Sequence, residues 1–237
     1  MVDARGLRSF SFDWPIVKKI LAVGVPSGVE NSMFQVGKII VLSLIAGYGT
    51  VAVAANAVTN TIASFEILPG ASVGLAMLTV VGRCVGAGRP DEAARYVRRL
   101  MFVAYAGVWV VNVPLLFFAR DGLSQRVSDL AWVMVLTHGV GGMLIWPLSF
   151  TLPNALRASG QAAFTMITSI VTMWVVRVGL SYVFAATGTL GLIDFMGWPP
   201  EYGAEGTWLA MVTDWVVRSA LFVWCFRSGR WKSYSAG

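Results

Sequence analysis

Five ionisable side chains, Lys38, Glu66, Arg177, Asp214 and Arg218, stand deep inside long apolar stretches of the sequence, and Glu30 lies nearer the end of one. At bilayer depth a charge costs roughly 3 kcal/mol on insertion scales, so each needs a partner or a purpose. Asp214 and Arg218 are spaced i, i+4 and share a helix face. Arg177 reaches a comparable depth on the preceding stretch, and the three read as a structural charge cluster, because an Arg cannot release its proton. Lys38 and Glu66 belong to stretches joined only by Tyr48-Gly49-Thr50. At ~1.5 Å per residue they lie ~14 and ~22 Å below the shared outer end, so a tight hairpin brings them face to face with Glu30 about a turn deeper. Lys38 and Glu66 read either as a neutral ion pair bracing the hairpin or as a protonation or cation site. Glu30, Lys38 and Glu66 are the predicted ion or substrate pathway.

The elements that must carry these charges are membrane helices. Of the 237 residues 57% are apolar and 13% charged, about half the charge of an ordinary soluble domain. Mean hydropathy is +0.70, and the runs 100–119, 130–156 and 158–176 contain no charge. Each is long enough to cross ~30 Å of hydrocarbon as a helix. The fold class is therefore an all-α membrane protein with six transmembrane helices, expected at about 26–47, 51–87, 97–118, 129–156, 161–187 and 206–227. A soluble enzyme is excluded, and no nucleophile elbow, nucleotide-binding loop or metal-ligand spacing is present. No catalytic residue, metal or cofactor is expected. Cys84 and Cys225 read as packing thiols. His138, the single histidine, reads as a packing residue or a pH sensor.

Six spans put both ends on one side. Thirteen basic residues fall on that side, in the N-terminal arm (Arg5, Arg8, Lys18, Lys19), the second connection (Arg83 to Arg99), Arg157 and the tail (Arg227, Arg230, Lys232), against Arg120 and Arg126 on the other. The positive-inside rule makes both termini cytoplasmic, in a multi-pass protein of the cell membrane, the inner membrane in a bacterium. The bilayer thus accounts for the net charge of +6, and no nucleic-acid partner is expected. No removable signal peptide is visible at the start. Residues 1–25 read as a cytoplasmic arm and an interfacial helix breaking at Gly24–Gly28, 26–232 as the transmembrane lobe, and 233–237 as a tail. Trp14, Trp132, Trp198, Trp208 and Trp231 read as an interfacial belt, and 188–205, with Asp194 and Glu205, as an external loop.

Gly70, Gly74, Gly82 and Gly86 form a small-residue stripe for close helix packing. Pro69 is expected to kink the second helix, and Pro114, Pro147 and Pro153 interrupt others. So many broken helices suit a transporter that bends.

Three stretches resemble the multidrug and toxic compound extrusion (MATE) family of transporters, in particular its C-terminal six-helix lobe: Leu21 to Gly28, Val80 to Arg95, and Pro153 to Gly160, with the closing Ser228 to Lys232. The resemblance implies one lobe of a secondary antiporter exporting cationic or amphipathic drug-like compounds in exchange for H⁺ or Na⁺. It implies small-molecule substrates, and a mate that is either the missing N-terminal lobe or a second copy. The acids that members of the family carry in the first and fourth helices of this lobe are replaced here by Phe34 and Gln35 in the first and His138 in the fourth, which leaves Glu30 and Glu66 as substitutes. The alternatives are a lipid-linked oligosaccharide flippase of the same superfamily, served by Lys38 and Arg177, and a non-transporting accessory subunit.

Overall fold

A computed structural model describes residues 13–118, 125–186, 197, 199–229 and 231–232. Arg5, Arg8, Arg120, Asp194, Trp198, Arg230 and the tail 233–237 lie outside the described residues, as do the side chains of Lys19 and Arg126. Among the described residues six helices are long and apolar enough to cross a membrane, which makes the chain a multi-pass membrane protein.

Helix α1 (Trp14–Ala46) begins at Asp13, whose carboxylate accepts from the Ile16 N–H, ordinary N-cap chemistry. The expected break at Gly24–Gly28 does not occur. Pro26 lies inside a continuous helix; a proline removes one backbone bond and bends a helix without having to end it. The interfacial segment and the first span are thus one element. After Gly49, at φ +95°, comes α2 (Thr50–Gly86). Pro69 lies within α2, and its ring packs where a side chain on Gly107 would sit.

Helix α2 is the spine of the lobe, packed against α3 (Pro90–Phe118), α4 (Gln125–Leu144) and α5 (Leu152–Ala158). The turns after α2 and α5 close alike. Gly88 (φ +70°) and Gly160 (φ +88°) take the left-handed conformation that lets Arg89 N–H reach the Cys84 carbonyl and Gln161 N–H reach that of Leu156, both at 2.9 Å. Of the glycine stripe, only half packs. Gly70 faces Trp146 and Gly74 faces Asn154, while Gly82 and Gly86 border open space.

The fourth and fifth spans each change register. Between α4 and α5 the segment Pro147–Thr151 is π-helical, because Pro147 has no N–H to continue the α ladder. Carbonyls just before it are taken by α3: Trp109 Nε1 donates to Met143 O and Tyr105 Oη to Leu144 O, each at 3.0 Å. The fifth span runs through α6 (Ala162–Val171), a second π-helical stretch, Thr172–Val178, which carries Arg177, and α7 (Gly179–Ala186). A 3₁₀ turn over Pro200–Ala204 leads into α8 (Glu205–Arg227). Lys232 donates to Asp91 at 2.8 Å, so Lys232 and the start of α3 share one end of the bundle.

Two apolar clusters fill the lobe. One gathers Val41, Ala55, Met134, Trp208 and Trp215, the other Met77, Val97, Leu156, Phe222 and Trp231. Trp208 and Trp231 are therefore core residues and not members of an interfacial belt, the latter stacked on Phe226 at 5.3 Å. Along α2, Glu66 lies between the last residue of the first cluster and Met77 of the second.

Candidate functional site

Helix α1 leans on α6 and the π segment after it more than on α2, leaving a cleft beside the π segment and α8. Two adjoining cavities of about 240 and 160 Å³ open there and share Lys38, Asn60, Arg177 and Trp208 in their linings. The ring of Phe34 is the hub: Lys38 Nζ lies 5.3 Å from its centroid, and the guanidinium carbons of Arg177 and Arg218 each lie 5.6 Å away. Arg218 also stands 5.1 Å over Phe150. Positive charge over an aromatic face is favourable by about 0.5–2 kcal/mol, which helps hold three cations in one region.

The cluster predicted from Arg177, Asp214 and Arg218 is present, with an uneven division of bonds. Arg218 Nη2 donates to both Asp214 oxygens at 2.9 and 3.2 Å, while Nε reaches Thr172 Oγ1 at 3.3 Å and Nη2 the Ser169 carbonyl at 3.4 Å. One buried pair thus also ties α8 to the start of the π segment. Arg177 makes no bond to Asp214, and its buried Nε has no partner.

Glu66 does not meet Lys38. Its carboxylate is 1% exposed and bonds His138 Nδ1 through Oε2. Either the ring N–H donates to a carboxylate or a carboxyl O–H donates to a bare ring nitrogen, so the two groups hold a proton between them. The short turn fixes the hairpin only at its Tyr48–Gly49 end, and the lean of α1 toward α6 carries Lys38 away while Glu66 points back into the lobe. Asn112 of α3 donates to the Glu66 backbone carbonyl at 3.1 Å. Glu66 Oε1 and Asn112 Oδ1 are both buried without partners, and both border the space a side chain on Gly139 would fill, at 3.2 and 3.4 Å. The imidazole itself lines the smaller cavity beside Trp208 and Trp215, whose ring centroids lie 5.6 and 5.2 Å away.

Glu30 is engaged away from the cleft. Both its oxygens accept from Arg157 Nη2 at 2.7 and 2.8 Å, and Arg157 Nη1 donates to Asn154. It braces α1 against α5. Glu205, expected in the external loop, is buried at the start of α8 and accepts from Thr137. A signal lay in its position: Glu205 stands just before the span expected from residue 206, where the positive end of a helix dipole favours a carboxylate. The Glu66–His138 bond had no comparable signal, since 72 positions separate the two residues.

The MatE family profile matches residues 26–183. The probable multidrug resistance protein NorM of Thermotoga maritima is 25% identical over 227 residues, 92% of this chain and 46% of its own length. The multidrug resistance protein PmpM of Pseudomonas aeruginosa is 24% identical, over 92% of this chain and 45% of its own. The chain spans about half the length of the curated relatives it matches. A MOP superfamily transporter of Pyrococcus furiosus, described as having a binding pocket of reverse polarity that suggests a different function, superposes with a TM-score of 0.81 at 21% identity, over 98% of this chain and 50% of its own. A MATE protein in its straight conformation gives 0.81 at 21% identity, over 96% and 50%. Matched in sequence across two thirds of its length and in backbone across nearly all of it, the chain belongs to the MatE family.

Proposed function

We propose that this chain is one lobe of a secondary antiporter that exports amphipathic compounds against an inward flow of protons. The observation that carries the reading is the His138 ring, which lines the cleft on one side and shares a proton with buried Glu66 on the other. A proton gained or lost by that pair changes the charge at the cleft wall, which couples substrate to ion by linkage. The names of the relatives, multidrug resistance proteins, support export. Of the two substrate classes suggested by the sequence, the amphipathic one suits a wall of Phe34, Trp146, Phe150 and Trp208. Protons are favoured over Na⁺ because a ring nitrogen occupies the position beside the carboxylate where a hard cation would want oxygen.

Alternating access needs two bundles that rock about a site between them, and these six helices form one wall. A second lobe, from an N-terminal half or another copy, completes the cleft against α1. The test is reconstitution of the purified chain, with cross-linking to fix its state. Proton-driven efflux that requires a paired lobe is expected; robust ion-driven efflux from a proven monomer overturns the reading. The cationic wall also favours the second reading, a lipid-linked oligosaccharide flippase, over a non-transporting subunit.

A further inference from the structure

The charges around the cleft do not balance. Lys38, Arg177 and Arg218 gather round Phe34, and the one carboxylate among them, Asp214, gives both oxygens to Arg218. No Asp or Glu lines either cavity among the described residues. Glu66 is held by His138 and Glu30 by Arg157. That leaves Lys38 with no carboxylate partner among the described residues, and Arg177, only 8% exposed, with an Nε that bonds nothing and only the charge of Asp214, which it shares with Arg218, to offset its own. Aromatic faces attract a cation far more weakly than an anion does, and a charge at membrane depth without a counter-ion is rare unless it serves a ligand.

We infer that the cleft binds the anionic head, a phosphate or a similar oxyanion, of an amphipathic substrate, with Lys38 and Arg177 as its counter-charges. The inference rests on the transporter reading and names the substrate class of the same cleft. Arg177 supplies a planar fork matched to paired oxygens, and Lys38 a mobile point charge at the mouth. Asn56 and Asn60 line the larger cavity with amide groups that can reach further oxygens. The apolar body lies along Trp146, Phe150, Trp208 and Trp215, which line the smaller one. A cationic drug finds the opposite: two like charges, and no acid among the described residues that line the cavities.

The test uses two probes of one shape and opposite charge, 1-naphthyl phosphate and 1-naphthylmethylammonium, titrated calorimetrically into the full chain in nanodiscs of zwitterionic lipid. The phosphate is expected to bind at least ~10-fold tighter, and Lys38→Met to weaken it ~10-fold, the loss of one charge-assisted contact. Arg177→Lys keeps the charge and the fold but loses the fork, and is expected to weaken binding by a smaller factor. Competition by inorganic phosphate identifies a soluble anion as sufficient. Competition only by phosphatidic acid placed in the nanodisc identifies a lipid headgroup; both support the proposal. It is overturned by equal or tighter binding of the ammonium probe, by no binding of the phosphate probe, or by folded Lys38→Met and Arg177→Lys chains that bind it as the parent does. Binding is read without flux, so failure of efflux alongside retained anion preference removes the transporter reading and not this one.

Discussion

Glu66 of α2 bonds His138 of α4, and Lys38, its neighbour in the hairpin, stands instead over the face of Phe34. The two charges that sequence arithmetic brings together are separated by the lean of one helix.

That relationship sets the first prediction. Glu66→Gln and His138→Gln should each destabilise the chain by about 3 kcal/mol or more, since each leaves a buried polar partner unmatched. The double variant should be less destabilised than the sum, with a coupling of about 0.5–3 kcal/mol. Glu66→Gln combined with Lys38→Met should be additive. Thermal unfolding in detergent measures both cycles, and coupling of Glu66 to Lys38 with none to His138 would reverse the assignment.

Gly139→Ala places a methyl group 3.0 Å from Leu116, 3.2 Å from Glu66 Oε1 and 3.4 Å from Asn112 Oδ1. Overpacking of this kind costs about 1–3 kcal/mol. The expected outcome is a folded protein with impaired proton coupling, seen as efflux that no longer follows an imposed pH gradient. Gly82→Ala, which borders open space, is the control and should behave as the parent.

Asp214→Asn strips Arg218, 1% exposed, of its counter-charge, at a cost of about 3–5 kcal/mol. Asp214→Asn with Arg218→Leu should recover most of the loss, as removal of a whole buried pair generally does. Expression level and melting temperature in detergent report both. A single variant as stable as the parent would show that the pair contributes nothing.

Much of the lobe is readable in the amino-acid sequence. Span number follows from the long apolar stretches and the breaks between them, and the Asp214–Arg218 pair from i, i+4 spacing within one helix. What fails is what depends on how helices tilt against each other. The lean of α1 decides that Lys38 faces Phe34. The π segments, one begun at Pro147 and the other carrying Arg177, shift the helix register in a way no 3.6-residue period anticipates. Trp208 and Trp231 mislead for a related reason: position near a span end fits an interfacial belt, but packing puts both inside.

Topology is open to direct measurement. A reporter inserted at Gly49, in the turn between α1 and α2, and another fused at the C-terminus should lie on opposite sides of the membrane, the second in the cytoplasm. A C-terminus outside the cytoplasm would require the opposite orientation of the whole lobe.

Proton coupling by the Glu66–His138 pair, in a cleft completed by a second lobe, is measured most directly in proteoliposomes holding the chain with its cross-linked mate. Substrate efflux is followed under a pH gradient, then under a Na⁺ gradient at equal pH. Only the pH gradient is expected to drive efflux, and Glu66→Gln is expected to retain downhill exchange but lose the drive. Efflux driven by Na⁺ alone, or a Glu66→Gln protein that still follows the pH gradient, would contradict proton coupling by this pair.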